Sequence, residues 1–283
     1  AVDAYIAVVR IGRHYGTART MIDHLVGIAC IAIGTQSAFK GVYRYDYPEK
    51  ELRRFLKELG ALRGNMPDYA HAMSSERAFG LGTVDDIMRL GPGGLRMSMP
   101  MRAERLWSAP APLQARLLRV LVPDRTVKKD MAKFYDRTIA AGKKPFYPAG
   151  AREEFLDRCK PWNIFARLLL PAVTRARVEA EKCRAMLEML RVAIALKMYH
   201  RDVGVYPDGL NWLIADKYLK AVPADPFSGK PLKYRLDKGE FFLYSVGEDM
   251  KDNGGALTRV ADFGMSADCG FRSKLPPAKK FKK

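Results

Sequence analysis

The sequence predicts an α+β protein: a mostly α-helical N-terminal region, then one long helix backed by a small antiparallel β-sheet. Three observations carry this. Apolar residues recur at spacings of three and four through the first half of the chain, the mark of amphipathic helices. The same spacing then continues without a break through Ala176, Ala180, Cys183, Leu187, Leu190, Ile194 and Met198. Beyond Gly204 the helical period stops, and turn residues separate two short runs rich in aromatic and aliphatic side chains. At about 150 residues per domain, 283 residues suggest two units. The boundaries fall at 1–162 for a helical domain, 163–255 for the long helix and hairpin, and 256–283 for an extended basic tail.

Taken in order, the first helix spans about Ala4 to Arg13, with Tyr5, Ile6, Val8, Val9 and Ile11 as its apolar residues. A second, well-buried helix runs over Thr20 to Ala32, where Met21, Leu25, Ile28, Ala29 and Ala32 share a face. Pro48 opens a third over Glu49 to Leu62, with Leu52, Phe55, Leu56 and Leu59 inward. Ser74 is the expected N-cap of a fourth. Gly91 to Pro100 breaks the pattern with G-P-G-G, and Pro110 and Pro112 extend the break. Helices are expected again over Ala111 to Val122 and Asp124 to Ala141, then a boundary over Gly142 to Gly150 and a short helical or turn segment over Ala151 to Trp162. The long helix is expected to begin near Pro171 and to end at Gly204. The runs Leu232 to Leu236 and Glu240 to Val246 flank D-K-G and read as a hairpin.

The order of residues in this last part is specific. Tyr199, Gly204, Tyr206, Pro207, Leu210 and Leu213 form Y-x4-G-x-Y-P-x2-L-x2-L. Tyr218, Leu219, Pro223, Asp225, Pro226, Phe227, Gly229, Pro231 and Tyr234 follow, and F-x-L-Y-S-V-G-x-D closes the series from Phe241 to Asp249. Residues 173–255 resemble the soluble domain of the major pseudopilins of type II secretion systems, which are type IV pilin-like proteins. In this reading Gly204 stops the helix, Asp208 caps the short helix carrying Leu210 and Leu213, and Asp225-Pro226 with Ser228-Gly229 aims the hairpin. Tyr234, Phe242 and Tyr244 are expected to pack the sheet onto the long helix. These are scaffold roles, and they argue for a fold rather than a reaction.

The departures from the pseudopilin pattern bear on function. A pseudopilin opens with a short leader, a cleavage site and a hydrophobic helix that forms the filament core. Here the equivalent helix lies mid-chain behind about 160 residues of other sequence. The arrangement is similar to bacterial envelope proteins in which a helical region precedes a pseudopilin-like end, and it implies a module that does not polymerise as pseudopilins do. The resemblance also implies calcium in the loop after the hairpin. Asp249, Asp252 and Asn253 offer hard oxygen ligands there, and Asp262 is within reach; Met250 stands where the family has Gly after the first Asp. Calcium takes six to eight oxygens, so backbone carbonyls and water would complete the shell.

Composition bounds the rest. Hydrophobic residues at 48% exclude a wholly disordered chain. Lys and Arg number 49 against 31 Asp and Glu, a net charge of +18 that favours an anionic partner: an acidic protein, an anionic membrane surface or nucleic acid. The tail, Lys274 to Lys283, carries five Lys. Aromatic interleaving in and just before it is thin, with only Phe271 and Phe281, too little for single-stranded nucleic acid. Cys30, Cys159, Cys183 and Cys269 have no zinc-site spacing and leave disulfides open. His14 and His24 do not share a face closely, and His200 fits the end of a helix, where a cation is favoured. No nucleophile elbow, Walker loop, H-E-x-x-H or G-x-G-x-x-G occurs, and the adjacent Glu153-Glu154 do not face each other on a helix. The longest apolar runs, such as Leu25 to Gly34, are about ten residues and too short to span a bilayer. The chain starts at Ala1 rather than Met, which leaves a lost signal peptide or an anchor helix upstream of Ala1 open. The leading expectation is thus a non-enzymatic structural or accessory subunit of an envelope or membrane-associated assembly, extracytoplasmic, docking an acidic protein through its basic surface. A basic nucleic-acid-binding protein and a hydrolase with a dispersed site stand as the alternatives.

Overall fold

Helices occupy most of the described residues, and one of them packs against both the other helices and the sheet. The computed structural model describes residues 2–17, 20–64, 66–90, 124–147, 164–255 and 269–273. The helices are α1 (Val2–Gly16), α2 (Met21–Arg44), α3 (Glu49–Arg63), α4 (Tyr69–Leu90), α5 (Asp124–Gly142), α6 (Ile164–Val203) and α7 (Trp212–Ala215). The strands are β1 (Lys233–Asp237), β2 (Glu240–Ser245) and β3 (Cys269–Arg272), in one antiparallel sheet of order β1-β2-β3. The expected α+β class is what the structure shows. The helices expected over 111–122 and 151–162, the break at 91–100 and the Lys-rich end lie outside the described residues.

Local signals explain most boundaries. Thr20 caps α2 through a capping box: its hydroxyl accepts from the Asp23 amide, and the Asp23 carboxylate accepts from the Thr20 amide. Gly204, at φ +87°, ends α6 in the left-handed region, its amide bonded to the His200 carbonyl at 2.8 Å. Two caps are not as expected. Ser74 lies inside α4 and returns its hydroxyl to the Ala70 carbonyl; Asp68 receives the Ala70 amide instead. Asp208 does not cap α7, whose N-cap is Asn211 without a side-chain bond. Helix α6 begins at Ile164 and passes through Pro171.

Helix α2 corrects the reading that no segment is long enough to span a bilayer. It continues through Gly34, Thr35, Gln36 and Ser37 to Arg44, and it is long and apolar enough to cross a membrane by length and composition. Those four residues interrupt the apolar run but carry no charge, so the helix stays apolar through them. Half of its 24 residues are nevertheless buried inside the protein. Helices α1 and α2 cross through glycine. A Cβ at Gly12 would sit 2.6 Å from the Gly27 carbonyl oxygen, and one at Gly27 would strike the backbones of Gly12 and Gly16.

The main core joins both halves of the chain. Ile6 and Val9 of α1, Ile31, Phe39 and Val42 of α2, and Leu52, Phe55 and Leu59 of α3 pack with Leu187, Leu190, Ile194 and Leu196 of α6. Phe241, Leu243 and Phe271 close it from the sheet. A second cluster joins Met73 of α4 to Met131, Phe134 and Tyr135 of α5 and Val173 of α6. Burial pushes the Tyr135 phenol up to about 12.

The sheet differs from expectation by one residue of alternation. Tyr234 faces the core, and its hydroxyl donates to the Pro207 carbonyl at 2.7 Å. Phe242 and Tyr244 do not face α6; their neighbours Phe241 and Leu243 do, because successive strand residues point to opposite faces. Phe242 is covered instead by the guanidinium groups of Arg235 and Arg272, at 5.1 and 4.7 Å from its ring. Strand β3 falls within the stretch 256–283 read as an extended tail. Its Phe271 stacks on Phe39 of α2 at 4.0 Å.

His24 is fully buried on α2, its Nδ1 3.4 Å from the Gly16 carbonyl and its ring edge-on to Tyr69. Burial holds its pKa below the usual value, against the opposing Gly16 carbonyl and Asp68. The unfolded chain therefore takes up this proton first as pH falls. Stability contributed by His24 is present above about 6.5 and is lost as pH drops below it toward the folded value. Urea unfolding from pH 7.5 to 5 should show this decline, and His24→Gln should flatten it. At the crossing, Gly27→Ala should cost about 1–3 kcal/mol because backbone stands where the methyl must go. Gly82→Ala on α4, where a Cβ meets nothing within 4 Å, should instead gain about 0.5–1 kcal/mol.

Candidate protein-docking site

The end of the molecule beyond α6 is organised by one buried carboxylate. Asp225 is almost fully buried. Its Oδ1 accepts from the Phe227 amide at 3.0 Å and the Ser245 hydroxyl at 2.7 Å. Its Oδ2 accepts from the Val246 amide at 3.0 Å and the Ser228 hydroxyl at 3.3 Å. A single side chain thus ties the D-P-F-S-G turn to the end of β2, and a carboxylate with four donors is stable without a cationic partner. Gly229, at φ +69°, completes the turn.

The loop after the hairpin holds three of the four expected calcium ligands. Asp249 Oδ1 accepts from the Lys251 amide, and its Oδ2 from Asn253 Nδ2, each at 3.0 Å. Asp252 Oδ1 accepts from the Tyr244 hydroxyl at 2.9 Å and the Gly254 amide at 3.1 Å. Its Oδ2 lies 3.0 Å from the Lys233 ammonium. Lys233, Tyr244 and the Gly254 amide together hold the Asp252 carboxyl below its ordinary range. Asp262 lies outside the described residues. Among the described residues no three His, Cys, Asp or Glu side chains gather as a metal site. In this arrangement the partners of these carboxylate oxygens are the turn's amides, the Tyr244 hydroxyl, Asn253 Nδ2 and the Lys233 ammonium.

Large apolar side chains are exposed on the same end. Val203 and Val205 flank Gly204 at the close of α6, and Trp212 and Ile214 stand on α7, with Trp212 55% exposed. Leu210 and Leu213 are turned inward, which leaves their neighbours outward. Tyr218 joins α7 to α6, its ring edge-on to Tyr199 and its hydroxyl bonded to Asp202. An exposed tryptophan among aliphatic residues is the composition of an interface centre. The motif Y-x4-G-x-Y-P-x2-L-x2-L passes over Val205 and Trp212, which stand at its unspecified positions; large apolar residues there were the signal.

The family described as "Type II secretion system (T2SS), protein G" matches residues 172–261. The protein "Type II secretion system core protein G" of Pseudomonas aeruginosa is 35% identical over 110 residues, spanning 77% of that protein and 32% of this chain. The chain belongs to the type II secretion system protein G family. No solved structure matches. The family's part of the chain comprises α6 from its ninth residue, α7, β1, β2 and the loop after them. The helices α1 to α5 stand outside it.

Asp225 supplies the prediction for this site. Asp225→Ala leaves the Phe227 and Val246 amides buried without acceptors and should cost about 3 kcal/mol, read as a lowered urea midpoint. Asp252→Ala, at the exposed loop, should cost well under half of that in the same measurement.

Proposed function

We propose that this protein is a non-enzymatic structural subunit of a type II secretion-like assembly in the bacterial envelope, docked through its pseudopilin-like end and not polymerised through its long helix. The observation that carries this reading is the burial of α6. Met189, Leu190, Val192, Ala193, Ile194, Ala195 and Leu196 are all without exposed surface, so over two turns only Arg191 keeps contact with solvent. The sheet covers one flank and α2 and α3 cover the other. A helix sheathed by its own chain has no apolar face left for neighbouring subunits along this stretch.

Membership of the protein G family supports a place among secretion-system proteins and a structural role. The exposed Val203, Val205, Trp212 and Ile214 supply apolar contact area. The net charge of +18 supports an acidic partner, since opposite charge speeds encounter and fixes orientation.

The test is native mass spectrometry of the protein gently purified from its source, at low and at high salt. The expected result is a defined complex at low salt that dissociates at high salt, and no homopolymer at either. Trp212→Glu should lower the complexed fraction about tenfold or more while leaving the urea midpoint near wild type. A lone monomer at both salts, or filaments of this chain alone, would overturn the proposal.

A further inference from the structure

The α1–α2 hairpin turns a continuous aliphatic face outward. Ile22, Val26, Ala29 and Ile33 of α2 lie within about 40° of one line along the helix, at 100° per residue. All four are exposed, Ile22 by 73% and Ile33 by 54%, and Leu25 widens the stripe. On α1, Ala4, Ala7, Val8, Ile11 and Tyr15 form a second exposed stripe, Ile11 by 52% and Tyr15 by 54%. The stripes adjoin: Val8 lies against Gly34, next to Ile33, and the crossing at Gly12, Gly16 and Gly27 brings the two backbones together. No charged residue interrupts either stripe. Two charges of α1 pair with α3, Asp3 with Arg54 and Arg10 with Glu58. Lys40 and Arg44 are exposed in the last turns of α2, Lys40 on the line of the Ile22 stripe.

We infer that this face lies on an anionic membrane, with the hairpin parallel to the bilayer plane and its aliphatic side chains at the boundary of headgroups and acyl chains. Helix α2 has the length and composition of a membrane helix, and close glycine crossings of this kind suit helix pairs in lipid. Its inner face cannot join it in the bilayer. Tyr43 donates to the Ala193 carbonyl at 2.6 Å, Lys197 donates to the Val42 and Tyr45 carbonyls, and Ile31, Ala38 and Val42 are fully buried in the core. A helix anchored to soluble structure along one side and aliphatic along the other meets lipid from the side. Lys40 at the end of the stripe and the net charge of +18 select anionic headgroups over neutral ones, which is what distinguishes this occupant from a second copy of an equally basic chain. The inference rests on the envelope reading above, but its test needs no secretion component.

The test uses the purified full chain with vesicles of phosphatidylglycerol and phosphatidylethanolamine, and with phosphatidylcholine vesicles, read by co-sedimentation. Binding to the anionic vesicles is expected, and Ile22→Glu with Val26→Glu should reduce the partition coefficient about tenfold or more. Both positions are exposed, so the circular dichroism spectrum and urea midpoint should stay at wild-type values. Val205→Glu, at the other exposed apolar surface, should leave vesicle binding unchanged. Absence of vesicle binding would overturn the inference. So would binding that the double variant retains, which would assign it to basic residues elsewhere, or a homodimer that the double variant breaks without vesicle binding. Loss of the secretion complex with vesicle binding intact would sink the proposed function alone.

Discussion

The structure depends on one constraint: the stretch of α6 from Met189 to Leu196, Arg191 apart, is too apolar to be left in water. A helix that is hydrophobic all round has to be buried all round. The sheet and α7 cover only one flank, so the remaining flank needs α2 and α3. Each fully buried Leu or Ile contributes about 1.5–3 kcal/mol relative to exposure. Leu187, Leu190, Ile194 and Leu196 are buried on one helix between both halves of the chain. Separating the halves would expose these side chains together. The front helices and the pseudopilin-like end therefore share a core, although the sequence changes character between them.

Polar contacts fix how the front grips α6. The last turn of a helix leaves carbonyls without partners, and cations are favoured there. Lys197 reaches the carbonyls of Val42 and Tyr45 at the end of α2, and Arg201 reaches that of Tyr47 just beyond it. Burial lowers the Lys197 pKa, opposed by Asp46. Lower on α6, the buried Glu188 is matched by Arg63 of α3 and Arg191 of its own helix. A buried charge left alone is strongly destabilising, so these pairs set the register of α3 against α6 more than they add net stability. Cys183, its thiol pushed up to about 12 by burial, is a packing residue whose Sγ donates to the Ile28 carbonyl at 3.6 Å.

Much of this was legible in the sequence, and the failures share physical causes. The Asp225 turn, the stop at Gly204 and the hairpin were readable because each depends on a few residues at fixed spacing. Phe242 and Tyr244 were placed on the wrong face because alternation gives two faces without saying which is inward, and arginines cover an aromatic face as well as a core does. Helix α2 was read too short because uncharged Gly34, Thr35, Gln36 and Ser37 look like a boundary, while the packing of Ala38, Phe39 and Val42 on the core carries the helix through. Strand β3 was hidden in a stretch of basic and small residues because its pairing with β2 is made across a long gap in sequence. Asp249, Asp252 and Asn253 lie in one loop, and sequence spacing does not reveal that Lys233 comes from β1 to take the Asp252 carboxylate.

The same reasoning separates the two exposed apolar surfaces. Trp212 and its neighbours are large, few and set among ionisable residues such as Asp208, Asp216 and Lys217, which suits a protein interface with a polar rim. The α1–α2 face is long, aliphatic and without charge along its stripe, and its ends carry Tyr15 and Lys40. A protein partner gains specificity from polar contacts, and that face has none to offer along its length. Lipid asks for no such contacts. The part of α6 that α2 and α3 wrap, Leu187 to Leu196, keeps its apolar side chains inside, and the aliphatic stripe stands on the outer side of that wrapping.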